Sequence, residues 1–495
     1  MGENQEQNFI RSVKSLDKFF KISERGSSVR AEVIGGLTTF FAMVYIVVTN
    51  PNQIVSFSHL AEGADPAFQQ IWNAVYVASI LVAVVGTLLM AFYAKMPFAQ
   101  ACGMGLNSFF FVSFILPVVI GGGDSAALID GYQAGLVIIL LSGIVFMIFS
   151  VTGLRAKVAR SLPDCLKKAI PAGIGLFIAF IGFQNVGLIQ ANPYTLVQFV
   201  DIHGAIKGGT FATAALPALL ALLGLLVIAV LEKFPKLKGA SVLVAIVIIT
   251  VLYYIVSGAK PSFDMSQVGQ SFKDFATIGV TGVFQAQSWK DAFSVELVGG
   301  VFSAIMLIVT YCLVDMFDTI GTLYGAASQA NLIDENNDPY NVDQCMTSDS
   351  IATVVGGVLG TSTCTTFVES AAGVAAGART GFSSLIVAIC FALCLFLTPL
   401  ASLVPACATA PALIWVGVLM MKGFAKVDMT DARSAVPAFL ALVMMPLTYS
   451  ISNGIGIGAI AYVVISLFTG KFQKKDIPSA IIAILFVIKF FMVTM

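Results

Sequence analysis

The sequence predicts an all-α polytopic membrane protein, with about 14 transmembrane segments arranged as two inverted seven-segment repeats. Of its 495 residues, 58% are hydrophobic and only 11% are charged, which excludes an ordinary soluble domain. Apolar runs long enough to cross a bilayer recur along most of the chain. Two of these runs, at residues 97–111 and 360–373, are short and interrupted by polar residues, and they occupy similar places in the two halves.

The individual spans follow the apolar runs and end where charged residues or turn-forming residues interrupt them. The predicted spans are 33–50, 72–94, 98–119, 131–152, 168–189, 212–232, 239–258, 295–322, 346–360, 363–377, 381–402, 407–423, 435–469 and 477–495.

The thirteenth span leaves two alternatives open. Residues 435–469 are divided by Ser452-Asn453-Gly454 and form either one bent crossing or a hairpin of two half-helices. The two alternatives place the lysines that follow on opposite sides of the membrane; these are Lys471, Lys474 and Lys475.

The repeat rests on two landmarks. The glycine pair Gly35-Gly36 opens the first span, and Gly299-Gly300 opens the eighth span 264 residues later. Asn107 and Glu369, in the two interrupted spans, are 262 residues apart. Near-equal offsets predict a repeat of seven segments, and an odd number inverts the second copy. Residues 258–294 would then join the halves at the outer surface.

Positive charge predicts the orientation. Lys and Arg collect before the first span, between spans four and five, and between spans six and seven, which are all on one side if the spans alternate. The positive-inside rule therefore places the segment 1–32 in the cytoplasm. Its charged start is unlike a cleaved signal peptide. We expect a multi-pass protein of the plasma (inner) membrane, and the short loops favour a bacterial one.

Two carboxylates lie within the eighth span. Asp315, Asp318 and Thr322 are spaced i, i+3, i+7 and share one helical face. A carboxylate at mid-membrane costs roughly 2.5–3.5 kcal/mol even on the lenient insertion scale. This cost indicates a substrate or proton site. The alternative is that one carboxylate caps a neighbouring helix or pairs with a basic residue near the interface.

The interrupted spans carry the other two candidate residues. Glu369 follows the Thr-rich run 361–366, which favours extended backbone, and precedes a small-residue helix. It would therefore lie in the first turn of a half-helix, either as a ligand contact or as a cap without a ligand. Asn107 occupies the matching place behind Gly103 and Gly105, and its alternative role is an N-cap.

Together these side chains predict a pocket rich in hydrogen-bond acceptors. One amide and two or three carboxylates suit a neutral, planar ligand with several N–H donors, and suit a phosphate or carboxylate poorly. Phe109, Phe110 and Phe367 are close in sequence and available to stack on a ring, although packing is the commoner role in a chain with 39 phenylalanines.

Other chemistry has little support in the sequence. The eight cysteines form no CxxC pair and read as small packing residues, so neither a disulfide framework nor a metal site is expected. The two histidines, His59 and His203, fall in predicted loops and are poor proton carriers through a membrane. No Ser/His/Asp set, HExxH motif or Cys/His cluster supports an enzyme, and we expect no cofactor.

Several stretches resemble one transporter family. The stretches are 36–51, 103–110, 171–177, 314–322 and 360–381, and the resemblance extends over roughly residues 15–470. They are similar to the AzgA-like purine permeases, the hypoxanthine/guanine and adenine branch of the nucleobase–ascorbate transporter superfamily.

The resemblance implies a fold with two domains. It places segments 1–4 and 8–11 in a core domain (33–152 and 295–402), and segments 5–7 and 12–14 in a gate domain (168–258 and 407–495). It also implies proton-coupled uptake of purine nucleobases by an elevator-like alternating-access mechanism, with protons and a purine base as partners. We expect membrane lipid around the protein and no nucleic acid, and a homodimer is compatible with this organisation.

The resemblance also implies roles for residues. Substrate binding would fall to Asn107, Asp318, Glu369, Phe367 and Thr366, and proton coupling to Asp315, Asp318 or Glu369. Two departures leave the preferred purine open, since many relatives carry Ala at the position of Ser108 and Tyr at that of Phe367. The alternatives are a carrier of another nucleobase, such as xanthine or uracil, and a passive channel for small neutral solutes.

Overall fold

The computed structural model describes residues 15–56, 63–152, 163–234, 237–258, 263–329, 332–333 and 339–492. In the first half, the elements are α1 Val29–Met43, α2 Ile46–Ile54, α3 Pro66–Leu89, β1 Gln100–Cys102, α4 Met104–Phe110, α5 Leu116–Ile120, α6 Ser125–Val151, α7 Asp164–Asn185, β2 Ile189–Asn192, β3 Leu196–Phe199, α8 Ile202–Lys207, α9 Leu216–Leu231 and α10 Ser241–Ser257.

The second half continues with short helices and then repeats the pattern of strand and half-helix. Its elements are α11 Ser266–Asp274, α12 Ala286–Ala292, α13 Val295–Val298, α14 Val301–Gln329, α15 Val342–Leu359, β4 Cys364–Thr366, α16 Ser370–Ala375, α17 Gly381–Cys394, α18 Thr398–Ala401, α19 Ala406–Met420, α20 Ala432–Leu447, α21 Ile451–Phe468 and α22 Ile477–Met492.

Eight helices of the described chain are long and apolar enough to cross a membrane. Five shorter apolar helices accompany them, and among these are Met104–Ile120 and Gly381–Cys394. Turns of π- or 3₁₀-helix extend several of the helices, as at Met90–Ala94 after α3 and Met421–Lys426 after α19. The predicted all-α polytopic fold is confirmed.

Two short strands meet in the interior. β1 and β4 pair antiparallel, with Gln100 opposite Thr366 and Cys102 opposite Cys364. The ladder extends at both ends, because Gly103 N donates to Thr363 O (3.0 Å) and Phe367 N donates to Ala99 O (3.0 Å). Extended backbone is tolerated at membrane depth only when its polar groups are paired and covered by protein. Both conditions hold here, since all six strand residues are buried.

The register of this ladder agrees with the inverted repeat. Its central pair is Ala101 and Thr365, which are 264 residues apart, the same offset as the two glycine pairs. Residues related by the repeat therefore face each other at the middle of the ladder. A two-fold axis between the halves would pass through this pair, and α4 and α16 leave the ladder on either side of it.

The helices pack in two groups. We name β1, β4, α1–α6 and α14–α17 the core bundle, in which α6 packs on α15 and α17 packs on α1 and α3. We name α7–α10 and α19–α22 the gate bundle, in which α7 packs on α19 and α20. These groups parallel the predicted domains, whose residue boundaries remain a prediction.

The thirteenth span is a hairpin of two helices. α20 and α21 pack against each other. Asp431 lies just before α20 and Lys471 just after α21, and Lys471 Nζ is 3.9 Å from Asp431 Oδ2. The chain thus returns to the end from which it entered. The predicted break at Ser452-Asn453-Gly454 is wrong, because these residues start α21. The turn is at 448–450, where Tyr449 has φ 52° and the side chain of Ser450 caps α21.

Basic residues share one end of the molecule. Arg25 donates to the backbone oxygens of Lys95 (2.9 Å) and Arg379 (3.3 Å), and Lys168 donates to that of Lys426 (3.0 Å). We name this end the lysine-rich face. The opposite end carries the β2–β3 hairpin and the short helices α8 and α11–α13. His203 is exposed in α8, whereas the predicted loop with His59 lies outside the described residues.

Candidate functional site: a cavity between the two bundles

A cavity of about 330 Å³ separates the core bundle from the gate bundle. The core bundle contributes α4, α14, β4 and the start of α16, and the gate bundle contributes α7 and α19. The lining residues are Met104, Gly105, Lys167, Lys168, Pro171, Ile174, Ile178, Asp318, Gly321, Thr322, Thr365, Thr366, Phe367, Val368, Glu369, Val416, Leu419, Met420, Gly423 and Lys426.

Glu369 enters this cavity from the N-terminal end of α16. It occupies the N-cap position with φ −60° and ψ −19°, and its side chain is not used as a cap. The hydroxyl of Tyr45 donates to Glu369 Oε1 at 2.6 Å. Tyr45 is 2% exposed, so it holds the carboxylate from behind while the carboxylate faces the cavity. The alternative of a capping glutamate is therefore not observed.

Asp318 is the second carboxylate of the cavity. It lies on α14 together with Gly321 and Thr322, which also line the cavity. Asp315 shares this helical face. It lies seven residues before Thr322, which separates the two residues by about 10 Å along the helix axis at roughly 1.5 Å per residue. It is fully buried and does not line the cavity.

Asp315 takes part in a reciprocal arrangement with α15. Thr353 Oγ1 donates to Asp315 Oδ2 at 2.7 Å, and Thr319 Oγ1 donates to Asp349 Oδ2 at 2.6 Å. Each helix thus supplies one Asp and one Thr, four residues apart, to the other. Asp349 Oδ1 also accepts from Gln100 Nε2 (3.0 Å), whereas Asp315 Oδ1 has no partner among the described residues.

Asn107 lies behind the cavity wall. It is in the first turn of α4 and completely buried, and Gly103 occupies the N-cap position that was its alternative role. Its Nδ2 donates to Gln53 Oε1 at 3.2 Å, and its Oδ1 accepts from the hydroxyl of Ser362. The amide therefore ties α2 and α4 to the chain that leads into β4, while Gly105 faces the cavity.

Of the remaining predicted residues, two line the cavity and two pack against other aromatic rings. Thr366 and Phe367 line the cavity, and the backbone N–H of Thr366 donates to Thr319 Oγ1 at 3.3 Å. Phe109 instead packs on Tyr311, with ring centroids 5.1 Å apart, and Phe110 packs on Phe114 at 5.0 Å. Of these three phenylalanines, only Phe367 lines the cavity.

Sequence reasoning missed three buried polar residues around this site. They are Tyr45, Gln100 and Asp349, which contact Glu369, Asp349 and Thr319, respectively. The sequence did contain a signal for Asp349, because a carboxylate inside the predicted span 346–360 is unusual in a membrane segment. Tyr45 had none, since its partner is 324 residues away in the chain.

Comparison with known proteins agrees with this architecture. The transmembrane domain of the cyanobacterial bicarbonate transporter BicA has the same fold at 17% identity, with a TM-score of 0.56 over 92% of this chain and 97% of that one. The structure of SLC26A9 matches at 11% identity, with a TM-score of 0.57 over 90% of this chain and 66% of that one. The fold is thus that of inverted-repeat transporters with core and gate domains.

Sequence comparison gives the family. The guanine/hypoxanthine permease PbuG of Bacillus subtilis is 38% identical over 467 residues, which cover 93% of this chain and 96% of that one. The adenine permease AdeQ of Escherichia coli is 35% identical, over 97% of each chain. The model of the Permease family matches residues 30–457. This chain therefore belongs to the Permease family, whose members are membrane transporters rather than enzymes.

Proposed function

We propose that this protein takes up purine nucleobases (hypoxanthine, guanine or adenine) together with protons, by elevator-like movement of the core bundle against the gate bundle. The observation that carries the proposal is that Asp318 and Glu369 line one cavity between the bundles. The names of the relatives, guanine/hypoxanthine and adenine permeases, support the choice of substrate.

The cavity chemistry fits a flat base. Two carboxylates on the core side accept hydrogen bonds from ring N–H and exocyclic amino groups. On the gate side, Ile174, Ile178 and Val416 form an apolar wall for the face of the ring. A few polar groups that fix orientation within an apolar pocket are typical of small-molecule sites. Asn107 supports this site from behind in our proposal, through Gln53 and Ser362.

Proton coupling follows from the same carboxylates. A low-dielectric environment disfavours a charged carboxylate, so binding a proton to one carboxylate together with a neutral base lowers the buried negative charge that the core bundle carries across the membrane. Asp318, Glu369 and Asp315 are the candidates to carry this proton. We place the lysine-rich face in the cytoplasm by the positive-inside rule. The cavity, whose mouth includes Lys168 and Lys426, then opens inward.

Uptake of labelled hypoxanthine, guanine and adenine by cells that lack their own purine permeases tests the function. We expect the Asp318→Asn and Glu369→Gln variants to lose at least about tenfold in uptake, the loss expected when hydrogen bonds to charged groups are removed. Glu296→Gln is the matched control, because Glu296 is exposed at the start of α13. Full activity of a variant that carries both substitutions would overturn the site assignment.

An uncoupler separates the proposed carrier from a passive channel. Collapse of the proton gradient should abolish accumulation of the base against its gradient. Uptake that persists unchanged after the gradient is collapsed would contradict proton coupling and favour the passive channel.

A further inference from the structure

The cavity has two chemically different ends. Its inner end carries the carboxylates Asp318 and Glu369, which belong to the core bundle. Its mouth carries three lysines of the gate bundle, Lys167 and Lys168 at the start of α7 and Lys426 after α19. The positive-inside rule accounts for basic residues on this face but not for the convergence of three lysines on the cavity, and a neutral base has no use for them.

The lysines are largely free of carboxylate partners. Lys168 Nζ donates to the backbone oxygen of Lys426 at 3.0 Å, which positions it and leaves further N–H groups available. Lys167 Nζ lies 3.3 Å from Asp164 Oδ1. The side chain of Asp164 is 84% exposed, so this ion pair is weak. Among the described residues, no carboxylate forms an ion pair with Lys168 or Lys426.

Other charges near the mouth do not cancel this cluster. Asp428 lies in the loop after Lys426, outside the cavity lining, and its carboxylate accepts from the backbone N–H (2.9 Å) and hydroxyl (2.6 Å) of Thr430. These hydrogen bonds lower the pKa of Asp428, with a smaller contribution from Lys168. The N-terminal end of the α7 dipole adds positive potential at Lys167 and Lys168.

The cavity also has more room than a base needs. A volume of about 330 Å³ falls within the roughly 300–1,000 Å³ of pockets that bury drug-sized ligands. A single purine base is smaller than such a ligand, so space remains between the ring at the inner end and the lysines at the mouth.

We propose that the cavity also binds purine nucleoside monophosphates, with the base at the carboxylate end and the phosphate on Lys167, Lys168 and Lys426, and that they inhibit transport. This inference rests on the proposed function, because the same carboxylates hold the base. A dianionic phosphate forms charge-assisted hydrogen bonds with lysine ammonium groups. The ribose would span the space between the two ends.

The inhibitory effect follows because the two bundles hold opposite ends of the nucleotide. The base is held by the core bundle and the phosphate by the gate bundle, so the nucleotide joins two bodies that must move relative to each other during transport. A ligand that binds one conformation better shifts the population toward that conformation. The nucleotide therefore locks the conformation seen here. Because a phosphoribosyl transfer converts an imported base into such a nucleotide, this binding would provide feedback on uptake.

Displacement of labelled guanine from the purified protein tests the proposal. We expect guanosine monophosphate to displace guanine at concentrations about tenfold lower than guanosine does, since the two differ only in the phosphate. The advantage should shrink as salt rises from about 0.1 M to 1 M, because the mouth is open to solvent and its charges are screened. The same series with adenine, adenosine and adenosine monophosphate covers the other substrate.

A lysine variant locates the phosphate. In the triple variant Lys167→Gln, Lys168→Gln, Lys426→Gln, the advantage of the nucleotide over the nucleoside should fall to about onefold. Lys422→Gln is the matched control and should keep the advantage, because Lys422 is exposed on the same 3₁₀ turn and does not line the cavity.

Three outcomes would overturn the inference. They are equal displacement by nucleotide and nucleoside in the unmodified protein, an advantage that survives the triple lysine variant, and uptake of labelled guanosine monophosphate into vesicles. The salt series uses the unmodified protein, so it tests the proposal even if the triple variant fails to fold. Failure of every purine base to bind would instead refute the proposed function, and this inference with it.

Discussion

At the scale of single residues, burial decides which polar side chains face the cavity. Glu369 and Asn107 occupy related places in the two halves, yet Glu369 lines the cavity and Asn107 is enclosed by Gln53 and Ser362. An amide can satisfy its donors and acceptor inside the protein at little cost, whereas a carboxylate needs donors from several directions. Tyr45 supplies one such donor to Glu369.

Removal of that donor should weaken transport. We expect Tyr45→Phe to raise the KM for the preferred base by about ten- to a hundredfold, since a hydrogen bond to a charged group is worth about 1.5–3 kcal/mol and here it also orients Glu369. Kinetics of uptake at matched protein levels measure this effect. Tyr194→Phe is the control, because Tyr194 is 95% exposed in the β2–β3 hairpin. An unchanged KM would show that Tyr45 does not orient the carboxylate.

At the scale of elements, the antiparallel pair α14 and α15 places two carboxylates behind the cavity. Thr319 and Thr353 each donate to the Asp of the opposite helix, and Thr319 also contacts the backbone of Thr366 in β4. The spacing of Asp315 and Asp318 predicted a shared helical face, but not that α15 covers its deeper part. Only packing reveals which turn is covered, because periodicity gives direction around a helix and not depth.

This pairing should contribute to stability. Thr319→Val keeps the shape of the side chain but leaves Asp349 Oδ2 without its donor, so we expect a loss of about 1–3 kcal/mol. Thr319→Ser retains the hydroxyl and should lose much less. The thermal unfolding midpoint in detergent compares the two variants. Equal midpoints for Val and Ser would show that the hydroxyl does not stabilise the pair.

At the scale of the whole molecule, the two bundles enclose a cavity that reaches the lysine-rich face. Gly423, Lys168 and Lys426 lie at this mouth. The opposite end, with Tyr194, is the other side of the membrane in our proposal. The arrangement therefore predicts the side from which a reagent reaches the cavity.

Labelling with a membrane-impermeant maleimide checks this orientation. We expect Gly423→Cys to react in inside-out vesicles and Tyr194→Cys to react in right-side-out vesicles. The native cysteines are buried or half-buried, so their background should be low. A bound purine nucleoside monophosphate should slow the reaction at Gly423→Cys, because in our inference its phosphate lies at the mouth. The reverse pattern of labelling would contradict the inward-open assignment.

The sequence by itself determined the membrane class and the repeat, and it predicted the two interrupted segments beside the cavity, because hydropathy and periodic spacing can be read directly along the chain. The offset of 264 residues predicted the repeat, and the pair Ala101–Thr365 in the β1–β4 ladder agrees with it. The tertiary structure alone decided which side chains reach the cavity. Tyr45 on Glu369, Gln100 on Asp349 and the three lysines at the mouth join distant parts of the chain, and contacts of that range are set by how the helices pack.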